Sequence, residues 1–232
     1  MGVRNTAELL RDARLYVLLD GRDSSDSFVH LVQALVEAGV DVLQLRDKRL
    51  PDRDLVERAR VLRQLTRGTG TLFIVNDRPD IAVLSDADGV HVGQDELTVA
   101  DCRMLVGGTR LVGVSTHSLA QARQATLDGA DYIGCGPTFP SQTKAFEDFP
   151  GLEFLRAVQG EIPIPAFAIG GINGENIAGV LEAGFRRVAV SGAVTAATDP
   201  VATARVLRQI LRSGASSPDE ASSGTKKMRA DG

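Results

Sequence analysis

Gln44, Arg46 and Lys48 stand at alternate positions, so in an extended strand their side chains leave on one side and two cations converge beside an amide. That grouping suits an anion such as a phosphate, although pairing of Arg46 and Lys48 with Asp47 or other surface carboxylates would use the same residues. A second grouping is acidic: Asp77 follows Asn76, and the pair Asp95-Glu96 follows Gln94. Carboxylates from two neighbouring loops suit magnesium, which takes one or two protein carboxylates, keeps several waters and completes its shell with phosphate oxygens. A magnesium-bound diphosphate would satisfy both groupings. Asp77 alone also reads as a helix N-cap before Pro79. A third grouping is backbone: Gly170-Gly171 and Ser191-Gly192 let peptide N–H groups approach a phosphate, with ordinary tight turns as the alternative. His91 and His117 read as structural hydrogen-bonding residues rather than general bases.

These residues need a scaffold that collects strand ends. Short apolar, β-branched runs alternate eight times with stretches of helical periodicity, the pattern of repeated βα units and a parallel sheet. Strands are expected at Leu15–Leu19, Val42–Arg46, Thr71–Val75, Gly89–Val92, Leu111–Ser115, Tyr132–Gly136, Ala166–Gly170 and Arg187–Ser191. Helices are expected at Phe28–Ala38, through Leu55, Ala59, Leu62 and Leu65, and at Pro79–Leu84, Thr98–Val106, Ser118–Asp128, Gly151–Gln159, Asn173–Ala183 and Asp199–Leu211. Several end in Gly and a short link to the next strand: Gly39-Val40-Asp41, Gly129-Ala130-Asp131 and Gly184-Phe185-Arg186. A doubly wound sheet would carry a glycine-rich dinucleotide turn after its first strand, and Asp20-Gly21-Arg22-Asp23 is not one. A single-domain (β/α)8 TIM barrel over residues 1–213 is therefore expected, with a disordered tail at 214–232. In a barrel all the polar strand ends above gather on one face, together with Ser115 and the loop Pro137–Lys144.

The chain's 232 residues lie within the range of about 200 to 250 common for such a barrel. With 43% hydrophobic and 24% charged residues the composition is that of a globular protein, and a net charge of -4 with dispersed cations argues against nucleic acid as a partner. Cys102 and Cys135 lack metal-ligand spacing and read as core thiols. Arg4, Glu8, Arg11 and Asp12 interrupt the first residues, so a cytoplasmic protein without a membrane partner is expected, its homo-oligomeric state left open.

Six stretches carry a resemblance: Gln44-Leu45-Arg46-Asp47-Lys48, Val75-Asn76-Asp77, Asp88-Gly89-Val90-His91-Val92-Gly93-Gln94, Gly113-Val114-Ser115-Thr116-His117, Gly136-Pro137-Thr138-Phe139-Pro140-Ser141-Gln142-Thr143-Lys144 and Ala168-Ile169-Gly170-Gly171-Ile172. In order and spacing they resemble the thiamine-phosphate synthase family over roughly Leu15 to Leu211. The resemblance implies an alkyl/aryl transferase that joins 4-amino-2-methyl-5-(diphosphooxymethyl)pyrimidine to thiazole phosphate (4-methyl-5-(2-phosphoethyl)thiazole, carboxylated form included) with Mg2+, releasing pyrophosphate. It implies that Gln44, Arg46, Lys48 and Asn76 contact the pyrimidine diphosphate, that Asp77 and Glu96 hold the metal, and that Ser115 meets the pyrimidine. Lys144 would neutralise the leaving group, with Arg46 and Lys48 as the other catalytic cations. Ser141 and Thr143 would face the thiazole phosphate, resting on backbone at Gly171, Ser191 and Gly192; Leu45, Asp47 and Gln142 complete the implied substrate-binding set. The chain departs from the family at Asp95-Glu96, where Glu-Asp is more usual, so Asp95 is an alternative second ligand; and at Ser191-Gly192, where Val-Ser is common. Two rivals are a thiazole tautomerase, which uses a histidine where this chain has Pro137, and a non-catalytic phosphate-binding barrel, which need not keep Lys48 and Lys144.

Overall fold

The computed structural model describes residues 5–22, 24–140 and 149–213; the expected tail at 214–232 lies outside them. All eight apolar runs form strands: β1 (Leu15–Leu19), β2 (Val42–Leu45), β3 (Leu72–Asn76), β4 (Gly89–Val92), β5 (Leu111–Thr116), β6 (Tyr132–Cys135), β7 (Ala166–Ile169) and β8 (Val188–Val190). Neighbours pair in parallel in sequence order, and Leu15 opposite Val188 closes the ring, making a (β/α)8 TIM barrel. Strand ends differ by a residue or two from expectation because the ladder, not the apolar run, sets them. Arg46, for instance, falls just beyond β2 yet its N–H still donates to Leu19 O at 2.8 Å.

Side chains alternate between two apolar layers. Tyr16, Val42, Leu72, Ile74, Leu111, Tyr132, Phe167 and Ala189 fill the barrel interior. Val17, Leu43, Leu45, Phe73, Val75, Val90, Val112 and Ile133 point outward against the helices. The outer ring comprises α2 (Ser25–Glu37), α3 (Asp52–Thr66), α4 (Pro79–Leu84), α5 (Val99–Val106), α6 (Leu119–Leu127), α7 (Gly151–Glu161), α8 (Ile177–Glu182) and α10 (Pro200–Ser213). Local chemistry starts several of them: Ser24 and Ser118 cap α2 and α6, and Thr98 with Asp101 forms a capping box on α5. The helix expected over Asn173–Ala183 is shorter because Asn173 Oδ1 accepts from the N–H groups of Glu175 and Asn176, diverting those residues into a turn.

Two helices were not expected. The first, α1 (Thr6–Asp12), opens on a capping box of Asn5 and Glu8 and sets Leu10 and Ala13 into the interior layer, so that it plugs the amino-terminal end of the barrel. The other, α9 (Gly192–Thr195), is a single turn after β8.

A clasp recurs on the plugged face. Asp41, just before β2, accepts from Arg14 and Leu15 N–H; Asp88, before β4, from Phe73 N–H; Asp131, before β6, from Val112 N–H. Each aspartate also meets an arginine from a helix: Arg208 and Arg212 at Asp41, Arg63 at Asp88, Arg103 at Asp131.

Candidate active site

The mouth at the strands' carboxyl ends gathers the expected residues, with different assignments for several. Lys48 Nζ lies 3.4 Å from Asp77 Oδ2 and 3.9 Å from Glu96 Oε1, so carboxylates from the loops after β3 and β4 converge on one cation. Glu96 also folds back over Gly93: a Cβ there would meet Glu96 Oε2 at 2.3 Å. Asp95 is exposed and joins no ion pair among the described residues. Of the two acidic neighbours, Glu96 is therefore the one that stands with Asp77 around Lys48.

Asp77 is not the N-cap of α4; that position is Arg78, without a side-chain cap. Asp77 instead holds φ at +60°, with its N–H donating to His91 O at 2.8 Å. A non-glycine residue in this region is strained by about 1–3 kcal/mol, and such strain concentrates where a side chain must be aimed.

In the loop after β2, Arg46 is exposed and has no ion-pair partner among the described residues. Asp47 and Leu45 require correction as substrate-contacting side chains. Leu45 is buried between barrel and helices. The Asp47 side chain is only 2% exposed and accepts from the N–H groups of Arg49 at 2.7 Å and of Gly21 and Leu50, each at 3.1 Å. Burial raises its carboxyl pKa, but these three donors outweigh that and hold it below the usual carboxylate range. Asp47 thus ties the loop after β1 to the loop that carries Arg46 and Lys48.

Beneath the mouth runs a polar chain that sequence reading missed. Gln44 turns into the barrel, where its Nε2 donates to Tyr16 Oη at 2.7 Å and its Oε1 is buried without a donor. Tyr16 and Tyr132 hydroxyls are 3.1 Å apart; Tyr132 Oη is 3.2 Å from His91 Nδ1, and His91 Nε2 is 2.9 Å from Ser115 Oγ. With the amide donating through Nε2, one direction runs through the whole chain. Tyr16 accepts from Gln44 and so donates to Tyr132, Tyr132 donates to Nδ1, and His91 carries its hydrogen on Nε2 and donates to Ser115. The hydroxyl proton of Ser115 is left to donate toward the mouth. Burial supports these states: both phenols are pushed well above their ordinary value and the imidazole is held down to about 4. Gln94 Nε2 fixes Ser115 from the other side, donating to its carbonyl at 2.6 Å. The signal in sequence was the alternation of Tyr16, Gln44, His91, Ser115 and Tyr132 onto inward positions, visible only once strand register is known. His117 Nδ1 donates to Gly136 O, the structural role expected of it.

Asn76 ends β3 half-buried, opposite His91 in the ladder. Gly170 and Gly171 have φ of +98° and +65°, and a Cβ at Gly171 would lie 2.5 Å from Pro140 O. These glycines are thus required by the close seat of the loop after β6, whatever else they bind. Ser191 is the N-cap of α9 and Gly192 its first residue, so the free N–H groups of that turn face the same end of the barrel. Ser141, Gln142, Thr143 and Lys144 lie outside the described residues. Both cysteines are buried, and burial pushes the Cys135 thiol up to about 12.

No group of three or more His, Cys, Asp or Glu side chains among the described residues converges as a metal cage. The pair Asp77 and Glu96, held around a cation and open to solvent, matches the smaller requirement of magnesium, which leaves most of its shell to water and phosphate.

Residues 15–194 match the family model described as thiamine monophosphate synthase. Among relatives, the thiamine-phosphate synthase of Rhodopirellula baltica is 47% identical over 90% of this chain, which spans 57% of that protein's length. That of Chloroflexus aurantiacus is 48% identical over 86% of this chain and 93% of its own. Among solved structures, thiamine phosphate pyrophosphorylase from Pyrococcus furiosus superposes with a TM-score of 0.79 at 36% identity, covering 90% of this chain and 99% of that one. A 3-hexulose-6-phosphate synthase, at 21% identity and a TM-score of 0.62, shares the fold.

Proposed function

The chain belongs to the thiamine monophosphate synthase family, and on that premise we propose that it condenses 4-amino-2-methyl-5-(diphosphooxymethyl)pyrimidine with thiazole phosphate to give thiamine phosphate and pyrophosphate. The observation that carries this reading is Lys48 seated between Asp77 and Glu96, on the same loop as Arg46, which has no ion-pair partner among the described residues. A diphosphate on magnesium needs that mixture of charges; a proton-shifting tautomerase does not.

Asp77 and Glu96 would hold Mg2+, which neutralises charge on the departing diphosphate. The methylene C–O bond breaks with both electrons leaving on the pyrophosphate oxygen, and the amino-substituted ring stabilises the resulting cation. The thiazole nitrogen lone pair then forms the new C–N bond, so no side-chain base or nucleophile is needed. Arg46 and Lys48 stabilise the leaving group, as fixed positive charges placed where negative charge develops. Lys144 joins them by resemblance. Ser115 orients the pyrimidine through its hydroxyl, and Gln44, sealed inside the barrel, holds the polar chain beneath it. Asn76 steadies the diphosphate, while backbone at Gly171, Ser191 and Gly192 receives the thiazole phosphate, placing both reactants in line. The charge of both substrates retains them inside cells, so the cytoplasm is the compartment proposed. Among the described residues no helix is long and apolar enough to cross a membrane.

Incubation of the purified chain with both substrates and Mg2+ is expected to yield thiamine phosphate and pyrophosphate in equal amounts, with loss of turnover on chelation. Absence of product in the presence of all three components sinks the proposal.

A further inference from the structure

On the plugged face the aspartate clasp is present before β2, β4 and β6 and fails before β8. Where Gly39-Val40-Asp41 and Gly129-Ala130-Asp131 lead into their strands, the last link reads Gly184-Phe185-Arg186-Arg187. Arg11 and Arg14, at the end of α1, stand with this pair around a groove of about 480 Å³ whose wall includes Ile164 and Pro165. Each aspartate of the clasp meets a helix arginine, whereas none of these four arginines forms an ion pair with a carboxylate among the described residues. Arg14 Nη1 donates to Ala13 O at 3.1 Å and Arg187 Nη2 to Arg11 O at 2.9 Å, so among the described residues the hydrogen bonds of both guanidiniums go to carbonyls at the end of α1. Arg187 Nε is sealed from solvent with no acceptor among the described residues. Burial and then the field of Arg14 lower the Arg187 pKa, against a smaller opposing effect of Asp12.

Gathering like charges at a half-buried groove costs free energy that a bound anion recovers. Guanidinium forks match phosphate oxygens in pairs, and an apolar wall suits the body of an organic ligand. We propose that this groove is a second anion site, which takes the phosphate group of a phosphate-bearing small molecule on the face opposite the catalytic mouth. It is distinct from the diphosphate site, since no residue is shared and the whole barrel lies between them.

Calorimetric titration of the full chain with inorganic tripolyphosphate, without magnesium, tests it. Two classes of site are expected. Arg14→Gln with Arg187→Gln should weaken one class by about tenfold or more and leave turnover unchanged, while Arg46→Gln with Lys48→Gln should weaken the other. Should the first pair disturb the end of α1, Arg186→Glu, on an exposed side chain, should weaken the same class to a similar degree. Titrations of Arg186→Glu and of the Arg14/Arg187 variant that match the unsubstituted chain overturn the site, whether or not the synthase reaction is found.

Discussion

Glu96 and Asp95 are neighbours in sequence, yet only Glu96 lies beside Lys48 and Asp77. Glu96→Gln is expected to lower kcat/KM on the order of a hundredfold and to raise the magnesium needed for half-maximal rate, because a ligand is lost where charge develops. Asp95→Asn should stay within about twofold, as for an exposed charge; steady-state rates across a magnesium series separate the two, and the reverse order would reassign the ligand. His91 supports a pH prediction. Burial takes its pKa from 6.5 to about 4 in the folded chain, so between those values the unfolded chain binds the extra proton. Stability is thus whole above pH 6.5 and falls as pH drops toward 4, by at most about 1.4 kcal/mol per pH unit from this group. Urea melts at pH 7 and pH 5 should show that loss, and His91→Gln should reduce it; an equal loss in both chains argues against the assignment. Tyr132→Phe removes the donor to Nδ1 and should raise KM for the pyrimidine more than it lowers kcat.

At the scale of elements, the strands were legible because a parallel sheet buried on both faces needs continuous apolar runs, and the eight runs from Leu15–Leu19 to Val188–Val190 are that. The cations and carboxylates of the mouth were legible for a related reason: polar residues ending such runs have few structural uses. The interior chain from Gln44 to Ser115 was not, since Tyr16 and Tyr132 read as ordinary strand aromatics and their meeting at 3.1 Å depends on register between β1 and β6 across the barrel. Neither was α1, whose seven residues are held by the apolar plug rather than by periodicity. Leu10, 4% exposed in that plug, therefore carries a prediction: Leu10→Ala should cost about 2–4 kcal/mol in a urea melt. A cost below about 1 kcal/mol would mean that α1 lies on the barrel without sealing it.

For the molecule as a whole, the two ends of the barrel divide the work. The polar groups of the mouth collect at the carboxyl ends of the strands, where loops can vary without disturbing the ladder, and the opposite end is tied by aspartates that clamp β1, β3 and β5 each to the strand after it. Asp88 and Arg63 are the clearest pair for a test of that division, with side chains 20% and 13% exposed and 2.9 Å apart. Removing one partner strands the other charge and also frees the Phe73 N–H, which donates to Asp88 Oδ2 at 2.7 Å. Asp88→Ala is therefore expected to lower stability by roughly 3 kcal/mol, toward the low end for breaking a buried pair. Its effect on kcat/KM at 25 °C should stay within about twofold, because β3 still ends in Asn76, leads directly into Asp77 and stays paired to β4 from Ile74 to Asn76. Thermal melts and initial rates measured on the same preparation check both halves, and a large fall in rate in a fully folded Asp88→Ala chain would show that the clasp also sets the geometry of the mouth.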